Sequence, residues 1–371
     1  MTVTVAPARG IRQSDQVAGD EVRDGVTLTN LGQPLFPAAQ ADKRDLVDYL
    51  DAVSGLILPE LRDRPLSVIR VLRGQAPFMQ KNVPAYAPPW VQTVTMWAES
   101  SRRQVSYALC NDRRTLLWFA NQRAVEFHPG LVRAGTEHHQ DYLVLDLDPP
   151  APADPPDADP PGPGGRGGSG QPAGPAGFRA AVRAALLVRE ALAGAGLAGT
   201  VKTSGAKGVH VLVPVAAEVT IEEAAAATRA IAARAERLDP ALATTAFIRE
   251  DRGGKVFIDS TRAGGATVAA AYSPRARPGV PVSFPVAWED LDQVTPADFT
   301  IRTVPGLISG GDQGAGRVPP QPLSQDLIEE GRAIPIARVQ AMHEGKRRAR
   351  ARRQPPAGRE PGQGEQPGQR E

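Results

Sequence analysis

Residues 149–177 constrain this chain more than any other stretch. These 29 residues hold ten Pro and eight Gly, and no aliphatic side chain larger than Ala. Such a segment buries too little apolar surface to offset its ordering entropy. It is expected to be a disordered insertion, so the fold must be assembled from the two pieces that flank it. The break falls directly after Tyr142-Leu143-Val144-Leu145-Asp146-Leu147-Asp148, a short apolar run ending in acid. Two further regions are polar and aperiodic and are expected to be loose: a leader over 1–24 and a tail over 312–371 that carries the basic run Lys346–Arg353. The folded unit is therefore expected over 25–311, interrupted once.

Local signals place elements within the two pieces. Asp42 reads as a helix N-cap, with Asp45 in the first turn and Leu46, Val47, Leu50 and Val53 at helical spacing. Pro59 is expected to end that helix. The stretches Leu66–Val71 and Val91–Val94 read as strands, and Thr115–Ala120 opens a helix. After the break, Phe178–Gly194 is an amphipathic helix closed by glycine. Thr200–Thr203 and Val209–Val213 read as two strands around a glycine-containing turn. Thr220 with Glu223 makes a capping box for a helix reaching Leu238. Lys255–Asp259 and Thr267–Ala270 read as further strands. Helices and strands alternate irregularly, which predicts an α+β fold and not a regular parallel βαβ array.

Several classes are excluded early. Cys110 is the single cysteine, so neither an internal disulfide framework nor a cysteine-built zinc site is available. No run of 18 apolar residues exists to span a membrane. The N-terminal MTVTVAPARGIRQSDQ has no charged start followed by an apolar core, so a cytoplasmic location is expected. The net charge of +2 says nothing about partners until its distribution is read.

Four constellations could carry chemistry. Asp146 and Asp148 stand two apart on a strand and share a face. Paired carboxylates repel unless a cation, a proton or an arginine intervenes, and oxygen-only ligation suits Mg²⁺ or Mn²⁺. The plainer alternative is two solvated acids at a loop mouth. The block Lys202-Thr203-Ser204-Gly205-Ala206-Lys207-Gly208-Val209-His210 joins two strands. Its glycines would let the backbone approach an anion, Ser204 adds a hydroxyl, Lys202 and Lys207 add charge, and His210 can donate to a phosphate oxygen. It is not a P-loop, because the G-K-[ST] order is missing and a strand follows. An ordinary turn with solvated lysines is the alternative. Asp259 ends another apolar strand and could complete a two-metal set, or be a common strand-end acid. Basic and aromatic residues cluster at Arg70, Arg73, Phe78, Gln80 and Lys81, and again at Tyr272, Arg275 and Arg277. Such sets suit phosphate contact and base stacking; taken alone, each is also a solvated basic face. His128, in Val125-Glu126-Phe127-His128-Pro129, reads first as a structural histidine.

Together these residues resemble a known family. The carriers are Leu35-Phe36-Pro37, Arg64-Pro65-Leu66, Phe78-Met79-Gln80-Lys81, Glu126-Phe127-His128-Pro129, Leu145-Asp146-Leu147-Asp148-Pro149, the Lys202–His210 block, Lys255-Val256-Phe257-Ile258-Asp259, Tyr272-Ser273-x-Arg275-Ala276-Arg277 and Phe299-Thr300-Ile301-Arg302-Thr303-Val304. Each is weak; nine in order are specific. From Val26 to Ile308 the chain resembles the polymerase domain of bacterial DNA ligase D, in the archaeo-eukaryotic primase superfamily. The resemblance implies a two-lobed primase-polymerase fold, with a mixed or antiparallel catalytic sheet flanked by helices. It implies addition of ribo- or deoxyribonucleotides to DNA 3′ ends in non-homologous end joining, with two Mn²⁺ or Mg²⁺ ions. By similarity Asp146, Asp148 and Asp259 would be the metal carboxylates. Ser204, Lys207 and His210 would hold the triphosphate, with His128 near the sugar and Arg275 near the phosphates. Phe78 would stack on the template, with Lys81 also on the DNA side, and Lys43 would help bind a 5′-phosphate. Implied partners are gapped or overhanging 5′-phosphorylated DNA ends, a nucleoside triphosphate, a Ku-type end binder and a separate ligase, in a nucleoid-associated setting.

Two positions depart from the family. Gln33 stands where a lysine is usual, and Arg262-Ala263 stand where Gln-Asn is frequent. No Lys-x-Asp-Gly ligase motif occurs, so a stand-alone polymerase module is expected. Two rivals remain: a DNA-end-binding module without catalysis, and a phosphatase using the first aspartate of D-x-D as nucleophile. Pro149-Pro150 stand against the second, because that family places a small residue and Thr or Val there.

Overall fold

The computed structural model describes residues 20–98, 103–150, 175–262, 267–309 and 318–336. The chain opens with two hairpins, β1 (Glu21–Arg23) with β2 (Val26–Leu28), and β3 (Pro34–Phe36) with β4 (Ala41–Asp42). Helices α1 (Lys43–Ala52) and α2 (Ser54–Leu61) follow. Asp42 caps α1 as its sequence predicts, accepting from Asp45 N while the Asp45 carboxylate accepts from Asp42 N. Pro59 does not end the helix. The first helix stops at Val53, and Pro59 lies inside α2. A proline removes a single amide donor, and α2 still closes with Arg62 N donating to Leu58 O at 3.0 Å.

The first sheet is built on β5 (Leu66–Arg70), which pairs with β6 (Phe78–Gln80), with β9 (Ala124–Pro129) and, at Leu66, with the β8 strand (Arg103–Ala108); β7 (Thr93–Ala98) extends it beyond β8. Helix α3 (Arg113–Asn121) lies between β8 and β9 in the chain. The second sheet contains β10 (Tyr142–Asp148), β11 (Thr200–Thr203), β12 (Val209–Pro214), β13 (Ala243–Thr244), β14 (Val256–Asp259) and β15 (Pro285–Val286). Their order is β13-β14-β10-β12-β11-β15, antiparallel except for the β13–β14 pair. This is the mixed α+β architecture that the irregular pattern predicts.

Strand parity explains where the second sheet is dry and where it is polar. Leu143, Leu145 and Leu147 of β10, Val209, Val211 and Val213 of β12, and Val256 and Ile258 of β14 all belong to the main core. Helices α4 (Pro175–Ala193) and α5 (Ile221–Leu238) pack on this sheet. The other face of β10 starts apolar at Val144, packed with Leu131 and Val268, and then turns acidic at Asp146 and Asp148. The same core continues through α1, α3 and β9, so the two sheets share one hydrophobic interior.

Four further boundaries differ from the sequence reading. The described part of the leader already folds, since β1 begins at Glu21. Thr267–Ala270 is not a strand; Thr267 makes one bridge to Gly130, and Ala270 N donates to Phe127 O at 2.9 Å. Part of the tail packs: after the short α6 (Val304–Ser309), helix α7 (Gln325–Ala333) lies on α5, buries Leu327 and Ile328, and pairs Glu330 with Arg234 at 2.6 Å. The Ser324 cap and two adjacent aliphatic residues suffice to hold a nine-residue helix once a partner helix covers it. Of the insertion expected over 149–177, residues 151–174 lie outside the described residues, as does the basic run; the insertion ends earlier than expected, since α4 already begins at Pro175. Among the described residues no helix is long and apolar enough to cross a membrane.

Candidate active site

Register assembles the site. Lys202 is directly opposite His210, His210 is opposite Asp146, and Asp146 is opposite Asp259. Directly opposed residues share a face of a sheet, so four strands contribute one row of side chains. Asp148, two residues beyond Asp146, extends the row onto the same face. Asp146 and Asp259 are only 8% and 7% exposed.

Charge in this row is tightly organised. His210 Nε2 lies 3.4 Å from Asp146 Oδ1, and Arg262 Nη2 lies 2.6 Å from Asp146 Oδ2. Burial would raise the Asp146 carboxyl, but the His210 ring and the Arg262 guanidinium hold it below the ordinary carboxylate range. Asp148 goes the other way: burial and the neighbouring Asp146 charge push it up to about 6. Its nearest cation is Lys207, with Nζ 3.9 Å from Asp148 Oδ1. Asp259 is oriented by Thr261, whose N and Oγ1 both donate to Asp259 Oδ1, at 2.8 and 2.6 Å. Behind His210, Lys202 Nζ reaches His210 Nδ1 at 2.7 Å, Ala269 O at 2.9 Å and Ser283 Oγ at 2.5 Å. Burial and the Arg275 charge draw Lys202 down to about 7, yet three acceptors meet the three protons of an ammonium. Burial and Lys202 push His210 down to about 4. A neutral ring that accepts at Nδ1 carries its proton on Nε2, facing Asp146.

The turn between β11 and β12 is folded by its own side chain. Ser204 Oγ accepts from Ala206 N at 3.2 Å and Gly208 N at 3.1 Å. Its two glycines are required by close protein packing. Gly205 has φ +64°, and a Cβ there would lie 2.7 Å from Arg275 Cγ. A Cβ on Gly208 would overlap Leu147 O. The turn is thereby clamped between β10 and the segment carrying Arg275.

Glu126 is a hub that sequence reasoning missed. Its carboxylate meets His128 Nε2 at 2.8 Å, Arg275 Nε at 2.9 Å and Ala276 N at 2.9 Å. Burial would raise Glu126, but the His128 hydrogen bond and the Arg275 charge outweigh it and hold it at about 2. Burial lowers His128 in turn. Arg275 also donates to Ser204 O, which joins the hub to the turn. The segment is set by two non-glycine residues at positive φ, Tyr272 at 64° and Val280 at 47°, costly conformations that persist only when the surroundings fix them. Tyr49 Oη donates to Tyr272 O at 2.8 Å from the buried side. The available signal was the i, i+2 spacing of Glu126 and His128 on a fully buried strand.

Ser204, Lys207, His210, Asp146, Asp148 and Asp259 are thus brought together, with His128 and Arg275 joined to them through Glu126. Lys43, Phe78 and Lys81 belong to other parts of the fold. Phe78, 37% exposed, is on β6 and Lys81 follows it. Lys43 is buried, donates to Thr29 O at 2.5 Å and Asn121 Oδ1 at 2.6 Å, and is drawn down to about 8 by burial and the Arg123 charge.

As they stand, no three His, Cys, Asp or Glu side chains among the described residues converge on a point that holds an ion. Arg262 bridges Asp146 and Asp259 instead, its Nε 3.3 Å from Asp259 Oδ2. The donor set nevertheless fits a hard divalent cation. It is all carboxylate oxygen, and among the described residues three acids on one face have Arg262 and Lys207 as the formal cations beside them.

A mixed sheet presents this acidic row beside a serine- and lysine-bearing turn, and the family model that the chain matches is that of a nucleotidyltransferase-type enzyme domain. The chain matches the family model for the LigD primase-polymerase domain over residues 42–157 and 171–313, and it belongs to that family. It is 32% identical over 288 residues to the bifunctional non-homologous end joining protein LigD of Bacillus subtilis, covering 76% of this chain and 42% of that one. It is 32% identical over 287 residues to the multifunctional LigD of Mycobacterium tuberculosis, covering 74% of this chain and 34% of that one. The chain therefore spans less than half the length of these relatives. Among solved structures, the polymerase domain from Mycobacterium tuberculosis ligase D in complex with DNA matches with TM-score 0.65 and 30% identity, covering 77% of this chain and 94% of that one.

Proposed function

We propose that this chain adds nucleotides to DNA 3′ ends during non-homologous end joining. The observation that carries the reading is the row Lys202–His210–Asp146–Asp259, with Asp148 beside it, set by strand register alone. Held by Asp146, Asp148 and Asp259, Mn²⁺ or Mg²⁺ would activate the 3′-hydroxyl and neutralise the leaving pyrophosphate. The chain's own residues supply positioning and charge, which dominate phosphoryl-type transfer. His210 holds its Nε2–H toward Asp146, with Lys202 fixing its tautomer, and a triphosphate oxygen beside that carboxylate would share the proton. Lys207 and the Ser204 hydroxyl meet the triphosphate from the turn. Glu126 orients His128 toward the sugar and Arg275 toward the phosphates.

Phe78 and Lys81 take the DNA side, the ring stacking on a base and the ammonium meeting the backbone. Lys43, with two of its three protons given to the protein, has one left for a 5′-phosphate. The partners are a nucleoside triphosphate and a 5′-phosphorylated DNA end. A Ku-type end binder and a separate ligase complete the reaction sequence.

The test is extension of gapped and overhanging duplexes with ribo- or deoxyribonucleotides and Mn²⁺ or Mg²⁺. The parent extends, and Asp146→Ala does not. DNA binding with no extension under either ion would point to an end-binding module.

A further inference from the structure

We propose that Arg262 is a resident counter-cation of the acidic site: it clasps Asp146 and Asp259 together in the ion-free protein and competes with a divalent ion for them. The inference rests on the metal-site reading above.

The clasp differs from Arg64 and Arg234, each of which stays on one carboxylate, and from Arg23, whose contacts to three carboxylates are all hydrogen bonds. Arg64 Nη2 donates to both oxygens of Asp141, each at 2.7 Å. Arg234 places two nitrogens on one Glu330 oxygen, at 3.0 and 2.6 Å. Arg262 instead spends Nη2 on Asp146 and Nε on Asp259, and the second contact is an ion pair at 3.3 Å without hydrogen-bond alignment. Its buried Nε consequently has no hydrogen-bond partner. A buried N–H left unmade costs free energy, so this contact is held by charge and not by a saturated fork.

The charge count points the same way. Asp146, Asp148 and Asp259 share one face, and among the described residues the formal cations within 4.0 Å of them are Arg262 and Lys207. His210, the other neighbour, is buried against Lys202. An arginine stays protonated at any relevant pH, so a proton cannot dismiss it; the side chain must move. A divalent ion offers two charges to the same oxygens and needs no N–H alignment. Arg262 would then be displaced, and its cost of leaving would be subtracted from the ion's affinity. The side chain is 31% exposed, so it is not enclosed on every side.

The experiment titrates Mn²⁺ into the full chain and into Arg262→Ala, without nucleotide, by calorimetry and by manganese spin resonance. Thermal melting is followed in chelator and in Mn²⁺. The variant is expected to bind Mn²⁺ on the order of tenfold more tightly, to melt lower than the parent in chelator, and to gain more from Mn²⁺. Arg262→Gln, closer in size, should reproduce the gain if the alanine chain folds poorly. Arg262→Lys should fall between. If the parent binds Mn²⁺ and both neutral variants bind with equal or weaker affinity, Arg262 is not a competitor and the proposal fails. If the parent does not bind Mn²⁺ at all, the metal-site reading fails and takes this inference with it.

Discussion

Among the described residues, two clusters of buried carboxylate are balanced in opposite directions. At the end of β10 and β14, three acids share two formal cations, and Asp148 is pushed up to about 6 by burial and by Asp146. On β9, one acid has three donors, and Glu126 is held at about 2 by His128 and Arg275 against its burial. The first cluster is short of positive charge. The second is saturated and has nothing left to offer a ligand. It therefore acts as a strut, and its use is to fix His128 and Arg275 beside the turn. Burial alone does not mark a reactive group; the unmatched charge does.

The largest expected effect removes charge from the cluster that lacks cations. Asp259→Asn keeps an oxygen for Thr261 but withdraws one ligand charge. Nucleotide addition should fall by about a thousandfold, on the scale of losing a positioned charge in a reaction centre. Folding stability in chelator should change by less than about 1 kcal/mol, because one repulsive acid leaves with one clasp contact. Primer extension together with urea melts decides it. Near-parental extension would remove Asp259 from the site.

The saturated cluster should behave in the opposite manner. Glu126→Gln removes the charge that both His128 and Arg275 face. A carboxyl depressed from 4.5 to about 2 stabilises the fold by about 3 kcal/mol above its ordinary range. The sign follows from the depression: the contribution is complete above about pH 4.5 and is lost as pH falls through about 2. Urea melts of parent and variant should therefore differ by about 3 kcal/mol near neutrality and converge in strong acid. A gap that stays constant across this window would show that packing, not charge, makes Glu126 matter.

The part of this comparison legible in the sequence follows the range of the interactions. Asp42 with Asp45, and Thr220 with Glu223, were readable because a cap closes within three residues. The strand Tyr142–Asp148 was readable to its end because its parity is local. The acidic row was not readable from spacing, since Asp146 and Asp259 are 113 positions apart in the numbering and meet through a strand register that no local pattern encodes. The family resemblance placed those acids together before the fold did. It did not place Arg262, whose partner is decided by tertiary contact, nor Glu126, which looked like part of a structural motif. Composition misled at α7, where a polar, proline-flanked stretch packs because α5 lies across it. Gly331 shows how closely: a Cβ there would overlap the Ala226 carbonyl.

The smallest effect sharpens the comparison most, because its sign depends on the ion. Asp148 is raised above its ordinary 3.8 to about 6, so its charged form opposes folding. The cost is absent below about pH 4, grows through about pH 6 and is complete above that. The side chain is 35% exposed, so solvent screening reduces the cost to about 1 kcal/mol. In chelator at about pH 8, Asp148→Asn should therefore be more stable than the parent by roughly 1 kcal/mol, with the gain gone below about pH 4. Saturating Mn²⁺ should reverse the order, because the parent then gains from a ligand that the variant has lost. A variant that is equally stable in chelator, or still ahead in Mn²⁺, would mean that the acidic cluster is not short of cations, and the contrast with Glu126 would collapse.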